Sequence, residues 1–63
     1  MIKKEDLPKR LFELRDSFIK DAFNVTTATV ISKIFMEGYI AGLFDSDFIT
    51  TEEYDKMLKE WVE

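Results

Sequence analysis

The carboxylates Asp45, Asp47, Glu52 and Glu53 form the densest cluster of reactive side chains in the sequence. Paired carboxylates act as acid and base when their surroundings split their pKa values. Such a pair needs a nucleophile, a second base or a metal beside it, and the chain has no histidine and no cysteine. The commonest general base, the commonest zinc ligand and every thiolate site are therefore missing. Aspartate and serine are turn formers, and two glutamates in sequence suit the first turn of a helix. The reading is of a chain that is not an enzyme and takes no cofactor.

The same stretch has the outline of a calcium loop. Setting Glu53 at the twelfth position of an EF-hand puts Gly42, Phe44 and Ser46 at the first, third and fifth. The sixth position, which calls for glycine, is Asp47. Two oxygen ligands are lacking, so no metal site is expected, and the likeness covers only the entry into the following helix. Gly38-Tyr39-Ile40-Ala41-Gly42 is no phosphate loop, because no lysine follows and it lies inside a helical pattern. Glycines four apart let helices approach closely. Gly38 and Gly42 are thus helix-packing residues, with a groove fit for Phe12, Phe18 or Trp61.

These residues need elements to hold them, and the sequence supplies three. In residues 6–23, Leu7, Leu11, Leu14 and Phe18 recur at helical spacing, with Phe12, Ile19 and Phe23 widening the stripe. Pro8 falls in the first turn, where a missing N–H costs nothing. In the last segment Thr50 is the N-cap and Glu53 stands at N3, a capping box. Tyr54, Met57, Leu58, Trp61 and Val62 then trace one face of a helix over 51–62.

Residues 27–44 are rich in β-branched side chains at their start, which favours strand locally. A hairpin within 28–44, giving an α-β-β-α chain, is the alternative. Alternation fails, however, at Val30-Ile31 and at Ile34-Phe35-Met36. A helix sorts the residues better, with Thr26, Thr29, Lys33 and Glu37 in one polar line and Ile31, Ile34, Phe35, Gly38, Ala41 and Gly42 opposite. Thr26 or Thr27 is its expected cap. The fold class is all-α, a single three-helix domain over residues 1–63. At this size burial and ordering entropy nearly cancel. Without disulfide or metal, a homodimer is the expected remedy.

Charge is uneven. Residues 1–20 carry six basic and four acidic side chains, net +2, whereas residues 21–63 carry three basic and nine acidic, net −6. An acidic half suits a partner with a basic surface. It disfavours nucleic acid, which needs Lys and Arg to displace counterions. A helix-turn-helix regulator would lead with Thr51, Glu52, Glu53 and Asp55. The better basic face, Lys3, Lys4, Lys9, Arg10 and Arg15, is interrupted by acids. A membrane-associated or self-assembling protein is a further alternative, but Lys33 and Glu37 break the apolar stretch 25–44. Each would cost about 2.5–3.5 kcal/mol at a bilayer centre. No signal peptide is read, and the expected address is the cytoplasm.

Nine aromatics exceed what three amphipathic helices readily hide. Tyr39, Phe44, Phe48 and Trp61 are the candidates for exposure, and exposed aromatics are enriched at binding hot spots. With Asp45, Asp47 and Glu52 they make the expected partner-binding set.

The strings Glu37-Gly38-Tyr39-Ile40-Ala41-Gly42-Leu43 and Phe48-Ile49-Thr50-Thr51-Glu52-Glu53-Tyr54 together resemble a pattern in small helical accessory proteins of Gram-positive bacteria, phages and mobile elements. Short C-terminal oligomerisation-type modules are among them. The resemblance covers residues 37–63. It implies an accessory protein, a regulator or inhibitor, phage-encoded or carried by a mobile element and directed at a host protein.

Overall fold

The computed structural model describes residues 2–63. A 3₁₀ turn, Lys4–Asp6, leads into α1 (Leu7–Ile19), followed by α2 (Val25–Asp45) and α3 (Thr51–Trp61). There is no strand among the described residues, and residues 28–44 lie wholly within α2. The fold is all-α, with three helices.

The expected stripe of α1 is the one that faces inward, with Leu7 and Leu11 buried and Leu14 and Phe18 half-buried. Pro8 sits in the first turn, as its fixed φ and missing donor require. The helix stops at Ile19 rather than at residue 23, and the chain leaves it in a turn, with the Ala22 N–H donating to the Ile19 carbonyl at 3.1 Å. Asn24 then caps α2 from extended backbone, φ −123° and ψ 104°, its Oδ1 accepting the Thr27 N–H at 3.0 Å. Asn24 thus takes the role expected of Thr26 or Thr27, and α2 begins two residues early. Phe23 falls off the α1 stripe and is fully exposed.

The far end of α2 is closed by a Schellman motif. The Phe48 N–H reaches back to the Leu43 carbonyl at 3.0 Å, and the Asp47 N–H to the Phe44 carbonyl at 3.0 Å. Asp47 takes the left-handed conformation this motif demands, with φ 61°. Aspartate tolerates that region better than most side chains, which explains an Asp where glycine is the usual choice.

Helix α3 starts as its sequence requires. The Thr50 hydroxyl accepts the Glu53 N–H at 3.2 Å, and the Glu53 carboxylate accepts the Thr50 N–H at 2.8 Å. Both ends of the capping box are thereby satisfied.

Both α1 and α3 pack on α2, in a body of 36 × 22 × 16 Å. Buried Leu7, Leu11, Met36, Ile40 and Ile49 form the core. On α2 the inward face is Ser32, Met36 and Ile40. The Ser32 hydroxyl is satisfied by the Thr29 carbonyl at 2.8 Å, so its burial leaves no orphan donor. This face overturns the expected arrangement. The line Ile31, Ile34, Phe35, Gly38 and Gly42, set opposite the polar line and expected inside, is exposed. Two partner helices cover only one side of α2, and the side they cover carries Met36 and Ile40.

Candidate functional site

The exposed side of α2 is apolar. Val30, Ile31, Ile34 and Phe35 are 54%, 48%, 66% and 46% exposed, although each is a large hydrophobe. At about 100° per residue, Val30, Ile31, Ile34, Gly38, Ala41 and Gly42 fall within roughly 60° of one line along the helix. That line is diametrically opposite Met36. Phe35 stands at its edge and turns partly toward α1, its ring 5.0 Å from that of Phe18. A helix apolar on two opposite faces, with one polar line between them, offers the second face to something beyond this chain.

Gly38 and Gly42 lie on this same exposed line. A Cβ built at either would meet nothing within 4 Å. They therefore do not receive Phe12, Phe18 or Trp61, and the expected packing role within the chain is not what the structure shows. Phe18 packs on Phe35 instead. The Arg15 guanidinium lies over both Phe12 and Trp61, at 5.5 and 5.0 Å from the ring centroids.

The expected partner-binding residues occupy a different region. Asp45, Asp47 and Glu52 are exposed around the α2–α3 turn. The aromatics beside them are half-buried against the core rather than exposed. Phe44 stacks on Tyr54 at 4.7 Å with an interplanar angle of 23°, which occupies one face of each ring. Tyr39, Phe48 and Trp61 likewise pack against the core cluster. The carboxylates are exposed at the turn, whereas Trp61 lies at the far end of α3 beneath Arg15 and the other three aromatics are half-buried. The exposed hydrophobes lie elsewhere, on α2 and at Phe12, Phe23 and Val25. A signal for this was present in the sequence, because the consecutive runs Val30-Ile31 and Ile34-Phe35-Met36 put apolar side chains on more than one face of a helix.

Chemistry around Glu53 is structural. Its carboxylate accepts the Thr50 N–H and sits 3.0 Å from the Lys4 ammonium. The backbone hydrogen bond first, and Lys4 second, hold its pKa below the ordinary glutamate value. Among the described residues, no group of three acidic side chains is arranged to hold a metal ion. Of the five cations of the expected basic face, Lys4 pairs with Glu53 and Arg15 lies over two aromatic rings. This thins the basic face that a nucleic-acid reader would need.

A groove of about 420 Å³ runs between α1, the start of α2 and the end of α3, lined in part by Arg15, Asp16, Lys33, Glu60 and Trp61. Its charges are mixed in sign, and the Ser32 hydroxyl on its wall donates to the Thr29 carbonyl. No helix is long and apolar enough to cross a membrane among the described residues. Comparison with family models, curated proteins and solved structures gave no match.

Proposed function

We propose that the chain is a non-catalytic regulator or inhibitor that works by binding protein in the cytoplasm, as a homodimer. The observation that carries this is the uncovered apolar face of α2. Val30, Ile31 and Ile34 are exposed on a helix whose opposite side already serves as the core. Isolated surface hydrophobes are ordinary, but a contiguous row of them on one helix marks an interaction site. Around the C-terminal end of the same helix, Asp45, Asp47 and Glu52 offer negative charge to a partner with a basic surface.

Two surfaces thus have two duties. The apolar face of α2 assembles the protein, and the acidic turn meets the partner. Capture from the source cell tests the second duty. Wild type is compared with a triple variant, Asp45→Asn, Asp47→Asn and Glu52→Gln, at low and at 0.5 M salt. A protein retained by wild type, weakened by salt and lost with the neutralised variant is the expected result. Recovery of the chain alone in every arm would sink the partner reading and leave self-assembly.

A further inference from the structure

We infer that the exposed face of α2 is covered by the α2 of a second copy, running antiparallel about a two-fold axis at Met36. This rests on the protein-binding reading and names what lies on that surface. The shape of the face carries it, together with the open space above its glycines and its exposed apolar area.

The shape is self-complementary. The N-terminal half of the line carries Val30, Ile31 and Ile34, which project, and the C-terminal half carries Gly38, Ala41 and Gly42, which are recessed. A two-fold axis must set a surface against itself, so each bulge needs a matching recess equally far beyond the axis. Here Val30 pairs with Gly42, Ile31 with Ala41 and Ile34 with Gly38, and every one of these pairs is centred on position 36. The open space above both glycines is what the incoming side chains would fill. In a parallel pair, Ile34 would meet Ile34 and the glycines would face each other across a void.

Charge does not oppose this register. Glu37 is exposed about 80° from the line, and Lys33 lies about 120° from it, in the groove against α1 and α3, so the line itself is free of charged side chains. As for area, four large side chains that are about half exposed or more leave on the order of 400 Å² per copy to be covered. That is below the ~800 Å² per partner of a standard interface, and it fits a dimer with Kd on the order of 1–100 µM.

Sedimentation equilibrium on the full chain is the first measurement. It should show a species of twice the 7.5 kDa protomer mass that dissociates on dilution. Gly38→Leu then separates the dimer from the fold. The substitution meets open space in the single chain and replaces glycine in a helix, so the protomer should keep or gain thermal stability on dilution. In the dimer the new side chain fills the recess meant for Ile34, and affinity should fall at least tenfold. Ile34→Glu should also give a helical monomer by circular dichroism.

The cysteine-free chain allows the register to be trapped. Mixed Ile34→Cys and Gly38→Cys chains should form the hetero-disulfide in preference to either homo-disulfide. Preference for homo-disulfides would overturn the antiparallel arrangement. A monomer at the highest concentration the protein sustains, or undiminished dimer with Gly38→Leu, would overturn self-association on this face. A monomer that still captures another protein through Ile34 would overturn it too, while leaving the protein-binding reading intact.

Discussion

Helices α2 and α3 solve the same problem in opposite ways. Helix α3 turns Tyr54, Met57, Leu58 and Trp61 toward the core and leaves Glu52, Asp55, Lys56, Lys59 and Glu60 outside. It is finished within this chain. Helix α2 turns Met36 and Ile40 inward and leaves Val30, Ile31 and Ile34 outside, so a second apolar face is uncovered in a single copy. A helix with one apolar face uses that face for the fold alone. A helix with two opposite apolar faces serves the fold with one and is available for association with the other.

The sharpest way to break this comparison is to make one kind of change on both sides of α2. Met36→Ala empties a fully buried site and should cost about 2–5 kcal/mol. For a chain of this size that rivals the whole stability, and most of the helical signal should be lost at 25 °C. Ile34→Ala, studied at concentrations low enough to keep the protein monomeric, should shift the urea midpoint by the equivalent of about 0.5 kcal/mol or less. Equal effects would mean that the two faces are not different in kind.

The caps come next. Thr50→Ala removes the hydroxyl that accepts the Glu53 N–H and should cost about 1 kcal/mol by chemical denaturation. Asn24→Ala should cost about as much, since its Oδ1 has the same role for α2. Asp47→Gly, at φ 61°, should stabilise by a few tenths to about 1 kcal/mol, and Asp47→Val should destabilise. A loss with glycine would show that the aspartate side chain contributes more than its backbone conformation costs.

Glu53 gives the smallest and most specific effect. Its folded pKa is lowered, so its contribution is present above the ordinary glutamate pKa of about 4.3. It is lost as the pH falls from there through the lower folded value. Glu53→Gln should therefore flatten the acid side of the stability–pH curve in that window and leave neutral pH less stable. A curve of unchanged slope would remove the Thr50 N–H and Lys4 contacts as its cause.

The ends of the fold were legible because local rules decide them. The Leu7, Leu11, Leu14 and Phe18 stripe of α1 and the Thr50–Glu53 box each follow from a few residues in sequence and appear as read, whereas Phe12 and Phe23, expected to widen the stripe, are exposed. Asn24 caps α2 where Thr26 or Thr27 is expected, because all three side chains satisfy the same capping rule. The inward face of α2 was misassigned for a deeper reason. With apolar side chains on two opposite faces, periodicity does not say which side faces Leu7 and Leu11. That choice is made by the neighbours, and it also decided that Gly38 and Gly42 look outward and that Phe44 is half-buried, stacked on Tyr54.

The bridge between Lys4 and Glu53 joins positions 49 apart in the chain. Arg15 over Trp61 spans nearly as far. Most other packing is between α2 and its immediate neighbours in sequence, which shortens the loops that must close and favours rapid folding. The two long-span contacts require both outer helices to be docked already, so they belong to the last stage of assembly. Stabilisation gained that late acts on the rate of escape from the native state rather than on the rate of reaching it. Lys4→Ala should accordingly speed unfolding and leave the refolding limb of a chevron in place. At a solvent-exposed pair the effect should be small, a factor of about two to five in the unfolding rate.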